Sequence, residues 1–145
     1  VQDRPSFKNS KQTIKNTKEN INKYIDNINN LVSEKTIKSL IDKEKLDDGD
    51  YYYDLYLQLI YTDQDKEDYK EIAKNMTELK KSLNKSLDKL SETIEFLKKK
   101  DKNIVYKNSN LYFDYKSDLN KYRKYLEELE KIGQEITSKG EKITT

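Results

Sequence analysis

The side chains behind most enzyme and metal chemistry are missing from this 145-residue chain, which has neither cysteine nor histidine. Disulfides, thiolate or imidazole metal ligands, a cysteine nucleophile and a Ser-His-Asp relay are thereby excluded. Carboxylates, lysines and tyrosines remain, and each class has a candidate cluster. Asp47, Asp48 and Asp50 surround Gly49, an oxygen-rich composition of the kind that binds hard cations. Aligning Gly49 with the glycine of an EF-hand loop puts Glu44, Leu46, Asp48 and Leu55 at ligand positions, and the two leucines cannot ligate. The cluster reads instead as a helix breaker with Asp50 as the following N-cap. Paired carboxylates can act without histidine, but they need a cleft that fixes their separation and shifts one pKa. Here the acids fall on charged helix faces, with no glycine-rich phosphate loop and no nucleophile motif. The expectation is a non-enzyme without catalytic, metal or cofactor-binding residues.

Lysines cluster at Lys98–Lys102 and Lys121–Lys124, accompanied by a single arginine, Arg123. Arginine forks onto phosphate and reads base edges, so nucleic acid is not the expected partner. With 29 basic and 27 acidic residues, interleaved along the chain, no strong field toward anionic lipid is expected either.

Tyrosine is the remaining candidate, at 12 residues, five of them within DDGDYYYDLYLQLIY. Wound as a helix, residues 51–61 carry an apolar arc of roughly 200°, about twice the stripe an ordinary packed helix needs. Tyr52 and Tyr56 lie on its axis and are expected to be buried, whereas Tyr53 and Tyr61 lie at its edge and are expected to be accessible. Tyr106, Leu111 and Phe113 form a second aromatic group around the loop DKNIVYKNSN, with Tyr112 and Tyr115 nearby. Tyrosine is enriched in interface hot spots and loops often carry function. Tyr53, Tyr61, Tyr106, Leu111 and Phe113 are therefore the candidate partner-binding residues. A purely structural use of these rings, filling the margins of a lean core, stays open.

These residues need a helical frame. Leu, Ile, Val and Phe make up 34 of 145 residues, just above the ~20% below which disorder is expected. Ile14, Ile21, Ile25, Ile28 and Val32 follow heptad spacing and predict a helix over 8–31. A turn near Ser33, with serine as cap, starts a second helix from Glu34 that is broken at 47–50 and continues through Tyr61. Thr62 and Asp65 resemble a capping box opening a helix over 63–99, on which Tyr69, Met76, Leu83, Leu90 and Leu97 repeat every seven residues. Leu83 and Leu90 are expected to lie mid-seam. Lys98–Lys100 suit its carbonyl end. A last helix starts near Asn110, with Gly133 and Gly140 marking either close approach to a neighbour or fraying. The architecture expected is all-α, an up-down-up-down four-helix bundle, with three long helices plus one short bridging helix as the alternative. Residues 1–7 read as a polar leader or tether and 8–142 as one domain.

NSKQTIKNTKENINKYIDNINNL and LKKSLNKSLDKLSETIEFLKKKDKN resemble the helical outer-surface lipoproteins of Lyme and relapsing-fever spirochaetes in composition, helix pattern and polar leader. The resemblance implies a domain on the cell surface or secreted, lipid-anchored through a removed N-terminal segment at the outer membrane. It further implies an adhesin or immune-evasion role in virulence, through binding a host protein such as a complement or extracellular-matrix component. The start at Val1 and the lone Met76 are expected for a fragment or processed form. The alternative is a cytoplasmic interaction module, an immunity protein or scaffold of an AT-rich bacterium. No stretch reaches the ~18 consecutive apolar residues of a membrane span.

Overall fold

A computed structural model describes residues 3–41 and 49–144. The chain is mostly helical, as expected, and carries one small antiparallel hairpin. In order, the elements are α1 (Lys8–Leu31), α2 (Glu34–Ser39), α3 (Gly49–Ile60), α4 (Asp63–Lys100), a 3-10 turn (Asp101–Asn103), β1 (Ile104–Lys107), β2 (Asn110–Phe113) and α5 (Lys116–Thr144). Their termini follow local chemistry. Ser33 caps α2 by accepting from the Thr36 backbone N–H, and Thr62 with Asp65 forms a complete capping box on α4. The Thr62 hydrogen bonds hold the Asp65 carboxyl below its usual range.

The long helix α4 is the spine, with α1 and α5 both packed along it. Between α1 and α4 the polar contacts form an antiparallel ladder. Lys11 meets Glu95, Lys18 meets Asp88 at 2.7 Å, Asn84 donates to Asn22 at 2.8 Å and Lys80 meets Asp26 at 2.6 Å. Each step forward in α1 is matched by an equal step back in α4, so the register is fixed without slippage. Contacts to α5 come from another side of α4. Lys89 sits 2.7 Å from both Glu92 and Glu128, Lys139 donates to the buried Ser82 at 2.7 Å, and Lys100 meets the buried Asp118 at 3.0 Å.

Several expectations need correction. The segment 104–113 is not a loop running into a helix. It is a hairpin, and the last helix begins at Lys116 instead of Asn110. Asn108 and Ser109 both have positive φ, the requirement of a two-residue type I′ connection, and the Asp114 N–H closes the base by donating to the Asn103 carbonyl. Nor does α3 run along α4 as a fourth packed helix; it makes no extended contact with any other element. Of the proposed helix break at 47–50, residues 47–48 lie outside the described residues and Gly49 and Asp50 fall within α3 instead of preceding it, while the helix that starts at Glu34 already ends at Ser39. Leu90 is 37% exposed, while the buried seam passes through Met76, Leu87 and Leu97. Gly133 and Gly140 sit inside a helix that continues to Thr144, and a Cβ at either would meet nothing within 4 Å, so they mark neither fraying nor close approach.

Residues 3–7, read as part of a polar leader, are not a free tether. Phe7 is 2% exposed and belongs to the core cluster with Phe96, Leu97 and Ile104, at the end of α4 where the hairpin folds back. Its φ of 53° is a left-handed conformation that a bulky residue adopts only when its surroundings impose it. Asp3 accepts from the Ser10 backbone N–H at 2.8 Å and from the Ser10 hydroxyl at 2.9 Å, and the backbone bond holds its carboxyl below the usual range. Arg4 pairs with Asp101 at 2.7 Å.

Candidate partner-binding surface

At the hairpin end, the β1–β2 register pairs Ile104 with Phe113, Val105 with Tyr112 and Tyr106 with Leu111. Strand alternation then sorts the side chains onto two faces. Ile104, Tyr106, Leu111 and Phe113 turn inward onto the core cluster, and Phe113 packs on Tyr122 with 5.3 Å between ring centroids. The candidates Tyr106, Leu111 and Phe113 are thus brought together, but as core lining. The Arg4 guanidinium lies 3.5 Å over the Tyr106 ring, and burial raises the Tyr106 phenol above its ordinary pKa. The opposite face carries Val105 and Tyr112, 54% and 55% exposed, with Tyr115 equally open next to them.

The α3 end reverses the expectation in the same way. Tyr61 is only 7% exposed and stacks on Tyr69 at 5.8 Å, with the Lys66 ammonium 5.7 Å from its ring. Tyr53 is half-buried on that same side, one helical turn before the half-buried Leu57, and both it and Tyr61 act on the Lys38 ammonium of α2. Tyr53, Leu57 and Tyr61 therefore define the inner face. Tyr51, Tyr52, Leu55, Tyr56 and Leu59 form the outer one, from 40% exposed at Tyr52 to 67% at Leu59. The arc has the expected width but the wrong centre, because the contact with Tyr69 and α2 selects the edge rings for burial. Counting back from Tyr61 in steps of four would have found the inner face. Leu31 and Leu40 are also strongly exposed, and their helices lead toward this end.

The charges are not interleaved in space. Residues 49–71, comprising α3 and the first turns of α4, hold seven acids and two lysines. Residues 98–124, comprising the hairpin and the helix ends beside it, hold nine cations and three acids. With 38 residues, α4 separates the two ends by about 57 Å at 1.5 Å per residue. Near-neutrality of the whole hides an acidic end and a basic end.

Three carboxylates elsewhere are held in the ionised form by lysines. Hydrogen bonds from Lys38, Lys11 and Lys89 keep Glu34, Glu95 and Glu128 respectively below the usual range, the opposite of the shift a general acid needs. Among the described residues no group of three or more acids converges to hold a metal ion. The grooves between helices are open, among them an apolar cleft of about 330 Å³ lined by Ile21, Tyr24, Met76, Leu79 and Leu83 between α1 and α4. No described helix is long and apolar enough to cross a membrane. No protein-family description, curated protein or solved structure matches the chain.

Proposed function

We propose that this is a non-enzymatic cell-surface binding protein that engages a host protein, such as a complement or matrix component, through the outer face of α3. The observation that carries the reading is the contiguous stripe of Tyr51, Tyr52, Leu55, Tyr56 and Leu59, left open on the outer face of a helix that makes no extended contact with another described element. Three tyrosines and two leucines at this exposure present on the order of 500 Å², the size at which a monomer's largest apolar patch is commonly functional. Tyrosine anchors such patches at small entropic cost, and the acidic surround favours a partner whose surface is basic. In this reading α3 is kept free for the partner and does not close a four-helix bundle. Residues 3–7 are packed at the opposite end, so a lipid anchor upstream would hold the hairpin end near the membrane and present α3 outward.

The test is capture from host serum and matrix extract by the wild-type domain and by the Tyr52→Ser, Tyr56→Ser, Leu59→Ser variant. These side chains are exposed, so the variant melts as the wild type does, and it loses the captured protein. Equal capture by both, or none by either, would overturn the proposal.

A further inference from the structure

The hairpin end carries a second surface, distinct from α3 in place and charge. Its outer face shows the cross-strand pair Val105 and Tyr112, with Tyr115 just beyond, each more than half exposed. Lys98, Lys99, Lys102, Lys107, Lys116 and Lys121, all exposed, are contributed by the hairpin and by the ends of α4 and α5. Of the three acids of this segment, Asp101 is held by Arg4 and Asp118 by Lys100, leaving Asp114, and Glu92 and Glu95 of α4 flank Lys98, Lys99 and Lys121 without cancelling the excess of lysine at this end. The lysine excess at the end of α4 exceeds the partial negative charge of about half an electron that a helix C-terminus supplies. The result is a small exposed apolar patch at an end of the molecule that carries an excess of lysine.

That combination selects among polyanions. Nucleic-acid recognition favours arginine, and of the two arginines near this end Arg4 is committed to Asp101 and Tyr106. A soluble polyanion would also leave Val105 and the two tyrosines wet. An anionic bilayer surface uses both features, because lysines meet the headgroup phosphates while tyrosines settle at headgroup depth. We propose that the hairpin end is a peripheral docking surface for anionic lipid headgroups, with Val105, Tyr112 and Tyr115 entering the interfacial layer. No helix inserts; the contact is reversible and falls with ionic strength. It does not depend on what α3 binds.

Co-sedimentation with phosphatidylcholine vesicles, with and without phosphatidylglycerol, tests this directly. Binding is expected only to the vesicles containing phosphatidylglycerol, and raised salt should reverse it. Each lysine near such a surface contributes about fivefold to affinity, so the Lys98→Glu, Lys99→Glu, Lys102→Glu variant should bind ~100-fold more weakly or worse. Tyr112→Ala, also on an exposed side chain, should weaken binding severalfold while melting stays unchanged. A duplex oligonucleotide serves as the competing polyanion. Absence of vesicle binding, equal binding to both vesicle types, or tighter binding to the oligonucleotide that Tyr112→Ala leaves intact would each overturn the proposal.

Discussion

Tyrosines of one short segment can have opposite fates, and in and just after α3 the deciding factor is whether another element supplies a partner. Tyr61 has Tyr69 to stack on and is buried, whereas Tyr52 and Tyr56 have no partner helix among the described residues and are 40% and 46% exposed. Tyr61→Ala should therefore lower stability by about 3 kcal/mol, within the range for truncating a large buried side chain. Tyr52→Ala and Tyr56→Ala should each change it by less than ~0.5 kcal/mol, as exposed substitutions do. Thermal melts of the three variants would show it, and a loss at Tyr52 equal to that at Tyr61 would put the inner face on the wrong side. The sequence could show that this arc was too wide for one packing stripe. It could not show which flank would be covered, because that depends on Tyr69 and Lys38, brought near from other elements.

Elements with local signatures were legible in the sequence. The heptad run from Ile14 to Val32 marks α1 at its observed limits, and the Thr62–Asp65 box marks the first residue of α4. The hairpin was not legible, since strands of four residues are too short for alternation to stand out beside helical spacing, and Asn108-Ser109 lacks the glycine that usually flags the turn. The exposed candidates at this end were missed for the same reason: read as loop and helix, Tyr112 has no face opposite to Tyr106. The capping box also carries a pH signature. Asp65 has a depressed folded pKa, so its contribution is complete above the unfolded value near 3.8 and is lost as pH falls through the lower folded value. Asp65→Asn should lower the melting temperature at neutral pH, and the gap from wild type should close below pH 3.8; a constant gap would assign the effect to shape instead of charge.

For the whole molecule, packing is uneven between the ends. The hairpin end joins Phe7, Phe96, Leu97 and Ile104 in one buried cluster, whereas α3 rests on few neighbours. Hydrogen exchange should show α3 amides opening well before those of central α4 and of β1–β2, since local opening follows sparse burial. Protection in α3 equal to that of α4 would mean that its outer face is covered. The charge asymmetry was present in the sequence all along, but it becomes a property of the molecule only because α4 is one unbroken helix holding residues 49–71 and 98–124 apart.

The ladder between α1 and α4 has a mechanical consequence. Tension applied at Asp3 and resisted on α4 enters α1 at Phe7 and draws α1 lengthwise along α4. The contacts at Lys11, Lys18, Asn22 and Asp26 lie in sequence along that line, and they are loaded in shear together instead of being peeled one at a time. Surface ion pairs that add little to equilibrium stability thereby become rungs that must slip together when α1 is drawn along α4, whereas a pull across the axis would open them one at a time.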